Sequence, residues 1–215
     1  MPIYSQPMFH RALLLISALL VFSPLVRAED NQAPNGDFEQ WTEAPQNRSP
    51  QHIATSDRLI PTHHMVIVET SSSQPTSTVS QDSLIKHGGN YSVKLENSNG
   101  EDSVAVSTRE IPIDPALRYR VKVWVRGENI ESVSKESGVF LWIHQGPKEE
   151  FWSNDASVRK PHRIPDAIGS FEWIPFEVDV ASRPQDNLIR IAVQIRKSTG
   201  SLWIDDVELL PVTTP

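Results

Sequence analysis

Leu202-Trp203-Ile204-Asp205-Asp206-Val207 is the stretch whose reading decides the fold. Its composition is that of a strand, yet two carboxylates stand at its centre. A turn at Lys197-Ser198-Thr199-Gly200 precedes it. A buried carboxylate must be hydrogen bonded, paired or bound to a metal, because an isolated charge is costly to take out of water. The sequence therefore predicts that this strand closes a β-sandwich and that one aspartate has a partner elsewhere.

Just upstream, Ile189, Ile191, Val193 and Ile195 alternate with Arg190, Ala192, Gln194 and Arg196. Such a period of two marks a strand with one buried face. The same pattern recurs in Tyr119, Val121, Val123 and Val125 against Arg120, Lys122, Trp124 and Arg126. Val139 to His144 is a further strand, with Val139, Leu141 and Ile143 as its smoother core set. Phe171 to Val180 contains Pro175, which places it at an edge or a bulge. Shorter strands are expected at Met65–Val68, Tyr91–Leu95, Val104–Thr108 and after Asn35-Gly36. Thr42 to Pro61 and Gln145 to Ser170 read as long loops, Gly127 to Ser137 as a polar loop, and Ser71 to Ser80 as a loop or polar edge.

At the N-terminus, His10-Arg11 precedes the apolar run Ala12 to Phe22, and Val26-Arg27-Ala28 supplies a small residue for cleavage. This is the pattern of a signal peptide over residues 1–28, giving a secreted or periplasmic single domain over 29–215. The run is shorter than the roughly 20 residues of a membrane helix, so no membrane span is expected. The net charge is -7, and both arginines of the leading segment would leave with it. That balance disfavours nucleic acid and anionic membranes as partners. The chain has no cysteine, so disulfides cannot staple the fold. Past the leading segment no window keeps a helical period, and the short strands between turns predict an all-β sandwich.

Taken in order, Asn35-Gly36-Asp37-Phe38-Glu39 with Trp41, His87-Gly88-Gly89-Asn90-Tyr91-Ser92-Val93-Lys94-Leu95, Tyr119 to Val125, the strand from Trp173, and Gly200 to Leu210 form a recognisable series. The series resembles the galactose-binding-like jelly rolls, in particular the carbohydrate-binding modules that accompany cellulases and xylanases. The resemblance spans roughly residues 35–210. It implies a jelly-roll β-sandwich of two antiparallel sheets and a structural calcium where the N-terminal segment meets the last strand. Its implied ligands are Glu39, the Asp37 carbonyl, a carbonyl within 87–90, and Asp205 in preference to Asp206. Calcium takes six to eight oxygens from carboxylates and carbonyls, which suits such a set. The alternative is that these carboxylates face solvent or accept from backbone amides.

With the alternating apolar residues inward, the outward set is Trp124, Trp142, His144, Arg190, Gln194 and Arg196. If their strands share a sheet, they make one face suited to a poly- or oligosaccharide. Aromatic rings suit pyranose C–H faces, and Arg, Gln and His suit hydroxyls. The excess of arginine favours an acidic or sulfated glycan. Trp152, beside Phe151 in the long loop, is a second candidate position. The tryptophans could instead be packed as core.

A glycosidase needs two opposed carboxylates, and Glu149-Glu150 are adjacent in a loop. A polysaccharide lyase could be drawn with His144 and Arg190 or Arg196. Adjacent residues His63-His64 point to opposite faces of a strand and make a poor metal site. The leading expectation is a non-catalytic carbohydrate-binding protein. The alternatives are an exported structural or adhesion sandwich with a protein partner, and an enzyme on a jelly-roll scaffold.

Overall fold

The computed structural model describes residues 31–44, 59–70, 76–132, 134–149, 151 and 159–212. The proposed signal segment and Trp152 lie outside the described residues.

Thirteen strands follow one another: β1 (Trp41–Glu43), β2 (Leu59–Pro61), β3 (His64–Glu69), β4 (Ser77–Asp82), β5 (Ser92–Asn97), β6 (Ser103–Thr108), β7 (Ile111–Pro112), β8 (Arg118–Ser132), β9 (Gly138–Gly146), β10 (Arg159–Arg163), β11 (Gly169–Ala181), β12 (Leu188–Arg196) and β13 (Ser198–Val212). They form a six-stranded sheet, β10-β9-β12-β6-β3 with β7 beside β12, and a five-stranded sheet, β11-β8-β13-β5-β4. A small sheet joins β1 to β2. Every pairing is antiparallel, and the architecture is an all-β sandwich.

The period-two residues face each other across the core. Val121, Val123 and Val125 of β8, and Leu202 and Ile204 of β13, come from one sheet. Ile189, Ile191, Val193 and Ile195 of β12, with Leu141 and Ile143 of β9, come from the other. Burying one branched aliphatic side chain is worth about 1.5–3 kcal/mol, so this inner layer fixes the phase of each strand. Tyr119 is buried, and its hydroxyl accepts from the Asp114 amide at 2.8 Å, which anchors the turn before β8.

Two sequence expectations change, and the polar and proline-bearing edges are found as expected. The polar stretch after Arg126 continues as strand to Ser132. Arg159–Arg163 forms β10 within the expected long loop. Its backbone pairs with β9 at the edge of the sheet, where Pro161 is tolerated without an amide donor. Ser77–Asp82 is a polar edge strand, and β11, which carries Pro175, is also an edge strand, with register shifts before Ile174.

Candidate functional site

The structure divides the expected outward set between two sheets. Trp124 lies on β8 of the five-stranded sheet, whereas Trp142, His144, Arg190, Gln194 and Arg196 lie on β9 and β12 of the six-stranded sheet. Trp124 therefore does not share a face with the others. The cause is topological: alternation says which residues point outward, but not which sheet a strand joins.

On the six-stranded sheet, cross-strand partners form rows. One row is Pro161, Trp142, Ala192, Ser107 and Met65; the next is Arg163, Phe140, Gln194, Ala105 and Ile67. Ala192, Ser107, Ala105 and Phe140 are buried, so Trp142 and the arginines beside it are what this part of the sheet leaves half-exposed. The indole N–H of Trp142 donates to Gln194 Oε1 at 2.7 Å, which fixes the ring. The Arg159 guanidinium carbon lies 4.6 Å from the Trp142 ring centroid, and that of Arg196 lies 5.8 Å from it. Arg196 is also 6.0 Å from the Phe140 ring. All three contacts fall in cation–π range.

At one end of this face Phe151 is buried and lies 5.8 Å from the Arg190 guanidinium. Arg190 in turn donates to Nδ1 of His144 at 3.0 Å. Burial, then the positive charges of Arg190 and Arg159, hold the His144 pKa down to about 3. His144 is thus a neutral acceptor that supports Arg190. His144, Arg190 and Gln194 are all buried, so these expected ligand residues build the floor and wall instead of an open surface. A lyase drawn with His144 and Arg190 would have its base under cover. Glu149 is exposed in a turn, and Glu150 lies outside the described residues.

Sequence reasoning missed Arg159 and Arg163. Their signal was present, because Arg159, Pro161 and Arg163 alternate with Lys160 and His162 at period two. No apolar residue marked the alternation as a strand.

The outer face of the five-stranded sheet is built differently. His87 stacks on Trp124 with centroids 3.9 Å apart and an 18° tilt, and meets Trp173 edge-on at 5.6 Å. Its Nδ1 lies 2.6 Å from Asp206 Oδ2. Trp203 is buried, donates to Asp82 Oδ2 at 2.8 Å, and lies near Lys94 and Arg126. Trp124 is therefore covered by His87 on one side.

The two aspartates of the closing strand reach the same loop. Neighbouring strand residues normally point apart. Here Asp206 has φ +46° and the register shifts between Asp205 and Glu208, so a bulge turns both carboxylates towards residues 87–91. Asp205 Oδ2 accepts the amides of His87 at 2.8 Å and Gly88 at 3.1 Å, and its Oδ1 accepts that of Asp206 at 2.9 Å. Glu39 Oε1 accepts the amides of Asn90 at 2.6 Å and Tyr91 at 3.1 Å. Glu39 Oε2 accepts the Asn90 side chain at 2.8 Å. Burial pushes the Asp205 carboxyl up to about 6, against the pull of these amides. Burial also opposes ionisation of Glu39, but its hydrogen bonds to Asn90 and Tyr91 hold its pKa below the usual range.

As calcium ligands, the expected set is half assembled. Glu39 and Asp205 grip one loop from opposite ends of the chain, and each has one oxygen with a single hydrogen bond. The Asp37 side chain is exposed, so Asp37 could offer only its carbonyl. Among the described residues no cation lies within 4 Å of Asp205. Among the described residues no group of three or more His, Asp or Glu side chains converges as a metal site, so a cation held by Glu39 and Asp205 would need backbone carbonyls to complete its shell.

No family model and no curated protein matches the sequence. Among solved structures, the chain is similar to a family 4 carbohydrate-binding module, with TM-score 0.47 and 11% identity over 84% of this chain and 99% of that one. It is also similar to a family 61 module in complex with β-1,4-galactotriose, with TM-score 0.42 and 17% identity over 86% and 100%. A third is the enzymatically active domain of tailspike protein 4 from bacteriophage CBA120, with TM-score 0.49 and 12% identity over 85% of this chain. The chain spans 21% of that tailspike chain.

Proposed function

We propose that this protein is a secreted, non-catalytic carbohydrate-binding protein whose ligand lies on the outer face of the six-stranded sheet. The observation that carries this reading is Trp142, half-exposed, fixed by Gln194 and flanked by Arg159 and Arg196. A polysaccharide laid against this cluster meets an aromatic edge and planar hydrogen-bond donors.

The test is a glycan array and affinity gels with soluble polysaccharides. Wild type and Trp124→Ala should be retained by the same glycan, and folded Trp142→Ala should not. No retention of wild type on any glycan would sink the reading.

A second reading, a protein partner, is favoured by Leu84. It is 90% exposed, at the tip of the loop that carries His87. Loss of co-purifying partner on Leu84→Ser, with glycan retention intact, would assign that surface separately.

Calcium belongs to this proposal as a stability element. Glu39 and Asp205 would hold it, with carbonyls of residue 37 and the 87–90 loop. It would supply the positive charge that Asp205 lacks and tie the two ends of a cysteine-free domain together. Calcium should raise the melting temperature of EDTA-stripped protein. An unchanged melt would mean that the amide hydrogen bonds suffice alone.

A further inference from the structure

Resting on the proposed carbohydrate face, we infer that its ligand is an anionic glycan, read by the guanidinium groups of Arg159 and Arg196 through carboxylate or sulfate oxygens. The inference begins with how Trp142 is used. A bare indole face is what a neutral pyranose stacks on. Here Arg159 lies 4.6 Å from the ring centroid and Arg196 5.8 Å, so guanidinium groups already occupy space over the ring. The indole N–H is committed to Gln194. What this cluster offers a ligand is two planar cations held in place by aromatic rings.

Those cations lack acids. Among the described residues no carboxylate lies within 4 Å of Arg159, Arg163 or Arg196. Arg159 Nε on this face and Arg126 Nη1 on the other are each buried without a hydrogen-bond partner among the described residues. Arg159 and Arg196 are both half-exposed. Guanidinium groups suit this role because their N–H pairs match a carboxylate or sulfate bidentately.

The rest of the molecule sharpens the contrast. The chain as a whole is acidic, with net charge -7. On the opposite outer face Arg120 has Asp179 beside it, Lys122 has Glu208 and Arg126 has Glu172. His144, beside Arg190, stays uncharged, so it neither adds to nor cancels the arginine field. A local positive field on an acidic protein attracts a polyanion to this face and repels it elsewhere.

The test is affinity electrophoresis of the full chain in gels containing polygalacturonate, its carboxyl-reduced form, a sulfated galactan, or its desulfated form. Single-stranded DNA serves as the non-glycan polyanion. The expected result is retention by one anionic glycan, carboxylated or sulfated, with at least about tenfold weaker retention by its neutralised form. Arg159→Gln and Arg196→Gln should each weaken that retention by about tenfold, and Arg→Lys should restore only part of it. Melting curves of the variants establish that they are folded; if Arg159→Gln is not, Arg196→Gln decides. Equal retention by the anionic and neutralised forms would overturn the inference while leaving the carbohydrate reading intact. Absence of glycan binding would overturn both. Equal retention by DNA would overturn the inference by showing that charge alone is read.

Discussion

The two outer faces of the sandwich carry similar residues in different company. On the five-stranded sheet, Arg126 lies 5.3 Å from the Trp203 ring and also has Glu172 at 3.2 Å. On the six-stranded sheet, Arg196 lies 5.8 Å from Trp142 and has no such acid among the described residues. Trp124 is stacked under His87, whereas Trp142 is stacked with arginines. On one face Arg120, Lys122 and Arg126 each have an acid beside them, and the 87–91 loop covers Trp124. On the other, Arg159 and Arg196 have no acid within 4 Å among the described residues, and these are the donors proposed to meet a ligand. An aromatic residue on an outer face is thus not by itself a binding residue; its neighbours decide.

The largest expected effect falls on the tied-down face. Asp205→Ala removes the acceptor for three amides, of His87, Gly88 and Asp206. It should cost about 3 kcal/mol in urea unfolding, because buried donors left unsatisfied carry their full desolvation penalty. A loss too small to measure would mean that the loop is held by other contacts.

Gly89→Ala should follow at about 2 kcal/mol. Gly89 has φ +54°, and an added Cβ would collide with Glu39 Oε1. The substitution therefore forces Glu39 off the Asn90 and Tyr91 amides. Chemical denaturation against wild type measures it, and full stability would show that the loop can shift without loss.

The third prediction concerns the six-stranded sheet, which holds His64 and His144. Burial depresses both, His64 to about 4 and His144 to about 3, from the ordinary 6.5. Between these values the unfolded chain binds more protons than the folded one. Their contribution is complete above pH 6.5 and is lost as pH falls towards 4 and 3. The slope is at most about 1.4 kcal/mol per pH unit for each histidine. Urea unfolding across roughly pH 4–7 should show the decline, and His144→Gln should flatten part of it. An unchanged slope in that variant would contradict the assignment.

The smallest effect should come from Arg120→Ala. Its pair with Asp179 is solvent exposed, and such pairs contribute little. Neither the melting temperature nor glycan retention should move appreciably. A clear loss of retention would mean that the acid-paired face also binds.

Much of the fold could be read from residues such as Val121, Val123, Val125, Ile189 and Ile191, because branched side chains at every second position mark a strand with one buried face. The polar strand β10 could not, since Arg159–Arg163 is held by backbone pairing at an edge and buries no apolar row. Sheet membership was also hidden. Trp124 and Trp142 have the same local pattern, and only long-range pairing separates them. The closing strand was legible as a strand with a buried acid. Its bulge was not, because two carboxylates reaching one loop depends on the positive φ at Asp206. The arginines that frame Trp142 come from β10 and β12, so Arg159 stayed out of view until β10 was placed.

The most direct test of the account applies one substitution to both faces. Arg196→Gln and Arg126→Gln each remove a guanidinium near a tryptophan, one from each sheet. Retention of the two variants in an affinity gel containing the glycan that retains wild type compares them under identical conditions. The account predicts that Arg196→Gln loses most of the retention while Arg126→Gln migrates as wild type does. Equal losses, or loss confined to Arg126→Gln, would contradict it.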